Sequence, residues 1–246
     1  MSGAYLVTGA SKGLGRAIAR AIASEGYPVI ALARETIDLG VAGAELADLH
    51  PDSITVSCNL ADRADISGAA AIIRSRFDHL AGIVHNAGTI DPIRGILDVD
   101  RADWARSLQV NLIGVQDLTN RLDVLIGGEK HTRITTISSG AARRAIPGWS
   151  AYCVAKAGLD MWAQCMAVEG EQENISALAI APGIVNTAMQ ARIRESNEVD
   201  FPPLEDFVRY HEEGSLADAD DVANIILPYC IAQMGSNGDR LDVRDL

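Results

Sequence analysis

The chain is short of positive charge. Its 21 Lys and Arg face 33 Asp and Glu, giving a formal net charge of -12 and a pI near 4.8. Neutralising a phosphate backbone takes clustered cations, so DNA and RNA are not expected as partners. Cysteine is also scarce. Cys58, Cys153, Cys165 and Cys230 show no C-x-x-C pairing and no histidines at ligand spacing, so no metal centre is expected and the thiols are predicted to be reduced and mostly buried. No apolar run approaches the roughly 20 residues needed to cross a bilayer, and MSGAYLVTGA has neither a charged leader nor a cleavage site. A cytoplasmic protein without a membrane partner is expected. Repeats, low-complexity runs and linkers are missing too, and 246 residues at 48% hydrophobic content suffice for one core, so residues 1–246 are expected to form a single domain.

What is present is an alternation of short apolar runs and helical patterns. A strand at 4–8 runs into TGASKGLG, residues 8–15, and then into RAIARAIASEG. Strand, glycine turn and helix are the context of a nucleotide-binding loop. Gly9 permits a tight turn, while Gly13 and Gly15 allow close approach to a pyrophosphate, although G-x-x-x-G-x-G departs from the commoner G-x-G-x-x-G. A second strand at 29–33 ends in Arg34. An arginine there accommodates a 2′-phosphate, and Lys12 inside the loop adds a second cation, so NADP is expected over NAD. Glu35 is the competing residue, expected to point elsewhere. Helix 37–49, strand 54–58, helix 64–77 and strand 80–85 continue the alternation, which predicts an α/β fold with a parallel sheet covered on both faces. HNAG follows at 85–88.

Residues 100–125 read as one long amphipathic helix with Trp104, Leu108, Leu112, Val115 and Leu118 on one stripe. Asn111 suits a helix interior poorly; it is either a solvent-facing residue or a buried amide that bends the helix or holds a water. After a β-like run at 133–137 comes Ser139, then Tyr152 and Lys156, four apart in the first turns of a helix. That spacing stacks them on one face, where an ammonium favours the phenolate and lowers the tyrosine pKa from about 10. With Ser139 turned toward the phenol, the three would form a proton donor for a carbonyl oxygen. An exposed surface pair is the plainer alternative. A sixth strand at 175–181 stops at Pro182-Gly183. Residues 188–217 turn acidic and irregular, a segment expected to close over substrate or else to be a solvated insertion. A helix at 218–234, interrupted at Pro228, and a strand at 240–243 end the chain.

In order and spacing, TGASKGLG, HNAG, Asn111, Ser139, Tyr152-x-x-x-Lys156 and PGIVNT resemble the short-chain dehydrogenase/reductase family over nearly the whole chain. The resemblance implies a doubly wound Rossmann sheet of about seven parallel strands with helices on both faces. It also implies a catalytic tetrad of Asn111, Ser139, Tyr152 and Lys156. Tyr152 would protonate the carbonyl oxygen as nicotinamide delivers hydride, Ser139 would hold that oxygen, Lys156 would bind the nicotinamide ribose and lower the phenol pKa, and Asn111 would fix a water. NADP(H) would contact Gly9, Ser11, Lys12, Gly13, Leu14, Gly15, Arg34, Asn86, Ala87, Gly88, Pro182 and Gly183. Asn59 and Leu60 match the adenine-contacting pair, and Val185 and Thr187 match the carboxamide-holding residues.

His85 departs from the usual NNAG, and NGDRLDVRDL lacks the V-D-G-G ending. That ending, with PGIVNTAMQARIRE and GWSAYCVAKAG, is more similar to sepiapterin reductases and their microbial benzil reductase relatives; Asp242 is the closest match to the aspartate that anchors the pterin in sepiapterin reductases. The resemblance therefore implies an NADPH-dependent reductase of a small ketone or α-diketone. The rival readings are an alcohol, steroid or sugar dehydrogenase, and a non-catalytic nucleotide sensor. It further implies a homodimer or homotetramer paired through the helices bearing Asn111 and Tyr152.

Overall fold

A computed structural model describes residues 3–246. The order is β1 (Ala4–Thr8), α1 (Gly13–Ser24), β2 (Val29–Ala33), α2 (Ile37–Leu49), β3 (Ile54–Ser57), α3 (Arg63–Arg76), β4 (Leu80–His85), α4 (Arg101–Leu108), α5 (Gly114–Arg121), β5 (Thr132–Ile137), α6 (Ser150–Gly170), β6 (Ile175–Ala181), α7 (Ala188–Arg194), α8 (Leu204–Glu212), α9 (Ala219–Ile231) and β7 (Arg240–Asp242). The strands form one sheet in the order β3-β2-β1-β4-β5-β6-β7, every neighbouring pair parallel. β1 and β2 are buried at every residue, which is why AYLVT and VIALA read as continuous apolar runs instead of alternating.

Two apolar layers sandwich the sheet. Leu14, Ile18 and Ile22 of α1 pack with Leu39 and Leu46 of α2 and Val222 and Ile226 of α9 on one face. Ile66 and Ile73 of α3, Leu118 of α5 and Ala167 of α6 cover the other. Side-chain oxygens cap the free N–H groups of several helices: Thr36 caps α2, Asp62 α3, Asp100 α4 and Asp218 α9. The chain reverses its direction across the sheet between β1 and β4, so a crevice opens beyond their carboxyl ends. Among the described residues no helix is long and apolar enough to cross a membrane.

Three elements differ from the sequence expectation. Residues 100–125 are not one helix: α4 and α5 are joined by a π turn, Gln109–Ile113, and a 3-10 turn follows at Asp123–Leu125. The wide turn brings the Asn111 amide inward, where it is fully buried, and the apolar stripe gives no sign of this. Residues 188–217 are not irregular but carry α7 and α8. Both are short, and the Pro202-Pro203 pair disguises the start of α8, whose first turn holds Glu205 and Asp206 at the favourable end of the helix dipole. Finally, α9 passes through Pro228 to Ile231 without interruption; Ala232 N still donates to Pro228 O at 3.0 Å.

Candidate active site

β1 delivers Thr8 to the mouth of the crevice, and the turn beyond it is built for close approach. Gly9 has φ +69°, a left-handed conformation that side chains disfavour. The Thr8 hydroxyl accepts from Asn86 N and Ala87 N, both at 3.0 Å, and Asn86 Nδ2 donates to Thr8 O at 2.9 Å, which sews the HNAG turn to the glycine loop. Gly15 is required by this packing as well: a Cβ there would run into Gly9 O and Asn86 Nδ2. Gly15→Ala is therefore expected to cost about 1–3 kcal/mol and to lower Tm by about 2–12 °C in differential scanning calorimetry.

A cleft of ≈ 990 Å³ runs from this loop to the start of α6, and every residue named above for cofactor, catalysis or substrate borders it except Asn111. The residues fit a dinucleotide. Lys12, the cap of α1, makes no side-chain cap hydrogen bond and the first turn carries no acid, so the leading N–H groups are open to a pyrophosphate. Lys12 and Arg34 are exposed at the far end and, among the described residues, form no ion pair. Arg34 borders the cleft and Glu35 does not, though Asp38 shares the rim.

At the other end α6 presents Tyr152, Lys156 and Asp160 on one buried face. Lys156 Nζ donates to Ile137 O at 2.7 Å and lies 5.7 Å from the Tyr152 ring centroid. Burial pulls the ammonium down to about 8, opposed by Asp160. Burial likewise pushes the Tyr152 phenol up to about 12, opposed by the neighbouring Ser139 hydroxyl. This corrects the expectation of a lowered tyrosine pKa: loss of solvent on burial is the dominant effect on the phenol. The phenol consequently keeps its proton through the working range, the state a donor needs.

Ser139 Oγ accepts from Ala141 N at 3.1 Å, which fixes the hydroxyl at the lip of β5. Asn111 works from behind. Its Nδ2 donates to Thr89 O at 2.9 Å and to Ser107 Oγ at 3.2 Å, while Thr89 N donates to its Oδ1 at 2.9 Å. The amide thus ties the segment after β4 to the π turn, and the same contacts explain why an asparagine stands inside the helix.

The substrate side is aromatic, in a chain that is only 4% aromatic overall. Trp149 stacks on Phe201 at 4.8 Å and meets Phe207 edge-on at 5.2 Å and Tyr152 at 5.8 Å. Phe207 and Tyr210 come from α8, Met189 and Ile193 from α7, so the segment expected to close over substrate supplies one wall of the cleft. Apart from Tyr152 these aromatic residues are not singled out by the sequence analysis, although their crowding into 149–210 is a readable signal.

The family description "short chain dehydrogenase" matches residues 4–198. The chain belongs to the short chain dehydrogenase family. It is 32% identical over 249 residues to a benzil reductase ((S)-benzoin forming) of Bacillus subtilis (strain 168), covering 98% of each protein. A Bacillus cereus protein of the same name is 34% identical over 236 residues, covering 90% of this chain and 91% of the relative. Among solved structures, the KRED1-Pglu enzyme superposes with TM-score 0.86 at 28% identity over 97% of this chain and all (100%) of that one. An actinorhodin polyketide ketoreductase variant solved with NADPH gives 0.82 at 25% identity, covering 98% and 95%.

As a short chain dehydrogenase the protein is an oxidoreductase of a family that uses nicotinamide cofactors. Two departures from the family pattern have local explanations. His85 is buried, its Nε2 lies 2.9 Å from Thr119 Oγ1, and Trp162 packs edge-on against the ring at 5.7 Å. Because Thr119 Oγ1 already donates to Val115 O, the imidazole must donate from Nε2, and burial holds it neutral by pulling its pKa to about 3. It is a packing residue below the sheet end, outside proton transfer. Asp242 borders the cleft, but its carboxylate receives Arg244 Nε at 2.7 Å, Nη2 at 2.6 Å and N at 3.2 Å. These bonds hold it below the usual carboxylate range.

Proposed function

We propose that this short chain dehydrogenase is an NADPH-dependent reductase of a small ketone or α-diketone bearing an aryl or pterin-like ring. The observation that carries the reading is a phenol kept protonated by burial, beside Ser139, where an aromatic wall meets a dinucleotide-shaped groove. The names of the Bacillus relatives favour an α-diketone. NADPH, when bound, supplies the hydride. The chain supplies the rest. Ser139 donates its O–H to the carbonyl oxygen, Tyr152 transfers its phenolic proton to that oxygen as charge develops there, and the Lys156 ammonium offsets the phenolate left behind until solvent restores the proton. Lys12 and Arg34 provide the cations for a 2′-phosphate.

Reductive kcat/KM is expected to be level through neutrality and to fall above about pH 8, because Lys156 is charged below its lowered pKa and neutral above it. A profile flat to pH 10 or so, followed with saturating NADPH, would remove Lys156 from this role. The reading itself is tested on a panel of α-diketones, pterins, aldehydes and ketosteroids, following loss of reduced-nicotinamide absorbance with NADPH and NADH in parallel. Turnover of diketones or pterins with NADPH supports it; tight NADPH binding with no turnover of any carbonyl points to a nucleotide sensor.

Assembly and location follow the same reading. Ile113 beside α5 and Val154, Met161 and Val168 on α6 expose apolar surface on the outer helices, which supports pairing with a second copy as a homodimer or homotetramer. Light scattering would report the mass. All four cysteines are free, which fits a reducing compartment such as the cytoplasm.

A further inference from the structure

One cluster of buried charge has no task in that scheme. Arg240 on β7 and Asp160 on α6 are both nearly excluded from solvent, with side chains 8% and 12% exposed and 3.5 Å between Nε and Oδ2. Arg240 Nη2 donates to Ser139 O at 3.1 Å, and Nη1 lies 3.8 Å from Asp242 Oδ2. The guanidinium thus bridges three segments: the end of β5, the face of α6 that carries Tyr152 and Lys156, and the terminal strand. Replacing a buried ion pair by apolar side chains is often neutral for stability. Stability alone is therefore a weak reason for these charges.

The position of Ser139 gives a better one. The β5·β6 ladder ends at Ile137↔Ile180, and Ser138 N makes a last bond to Ile180 O at 2.8 Å. Ser139 lies one residue beyond. Its carbonyl is held by Ala142 N, within its own turn, and by Arg240, the one tie from another element among the described residues. Asp160, one helical turn past Lys156, and Asp242 lie 3.5 Å and 3.8 Å from the guanidinium as ion-pair partners, so the hydrogen bond to Ser139 O is the directional contact it makes among the described residues. We propose that Arg240 is a positioning residue, which holds the Ser139 main chain against α6 so that the serine hydroxyl and the Tyr152 phenol meet the same carbonyl oxygen. The proposal rests on the reductase reading above.

The test is a double-mutant cycle on full-length protein: wild type, Ser139→Ala, Arg240→Met and the double variant, each measured for kcat and KM on an aryl α-diketone, NADPH affinity by fluorescence, and Tm. Arg240→Met is expected to lower kcat about 10–100-fold with NADPH affinity within about twofold, the cost of a small misplacement of a reacting group. In the Ser139→Ala background the same change is expected to cost less than about threefold, because the group it positions is already gone. Arg240→Lys, which restores the charge without the fork, is expected to recover part of the loss. Asp160→Asn/Arg240→Met relieves the stranded carboxylate and carries the cycle if Arg240→Met fails to fold. Equal losses with and without the Ser139 hydroxyl, or full recovery of kcat in Asp160→Asn/Arg240→Met, would overturn the proposal in favour of a purely structural charge pair. A wild type that reduces no carbonyl defeats the reductase reading and this proposal with it.

Discussion

Tyr152→Phe is expected to lower kcat for carbonyl reduction by about 10²–10⁴-fold, the usual worth of a positioned general acid, while NADPH affinity stays within about twofold. The substitution deletes one oxygen from a side chain packed edge-on against Trp149 and buried under it, so the ring contacts that shape the site survive. Lys156 keeps its bond to Ile137 O, which does not involve the phenol. Only the proton is lost. Stopped-flow fluorescence for NADPH binding and steady-state turnover on the same preparation separate the two quantities. Loss of binding together with turnover would mean that Tyr152 organises the groove instead of donating; retention of turnover would give the acid role to another group.

The second large effect concerns cofactor choice. Lys12→Ala/Arg34→Ala is expected to raise KM for NADPH about 10–100-fold while leaving KM for NADH within about twofold, because both cations would contact only the 2′-phosphate. Both are exposed at the rim of the cleft and unpaired among the described residues, so removing them strands no carboxylate. The NADPH preference proposed for the unmodified protein should weaken as salt rises, since exposed charges are screened over roughly 8–10 Å at physiological ionic strength. Equal losses for both cofactors would show that the two residues shape the loop itself. A wild type indifferent to the phosphate would shift attention to Asp38, the acid that shares the rim.

The strands, the glycine turn and the Tyr152-Lys156 face were legible because each is a local pattern: a doubly buried strand is a run of apolar residues, and four residues make one helical turn. The positions that escaped depend on distant partners. Asn111 was visible as a misfit, but its partners Thr89 and Ser107 come from a loop and from the preceding turn, and the π turn that brings its amide to them leaves no mark in the apolar pattern. Arg240 reads as one more charge near a terminus until β7 lays it beside Ser139, 101 residues away in sequence. Asp160 was half legible, since it continues the four-residue spacing of Tyr152 and Lys156. The tyrosine pKa was misjudged from sequence because burial cannot be read from spacing, and burial is the larger effect.

The most direct measurement follows the hydride. Wild-type protein would be given an aryl α-diketone and NADPH carrying deuterium at the transferable position, and the product analysed by mass spectrometry and NMR. The account predicts a hydroxy ketone with the label on the new carbinol carbon, formed in step with NADPH consumed. Unlabelled product, or a cleft that binds NADPH and leaves the diketone untouched, would contradict it.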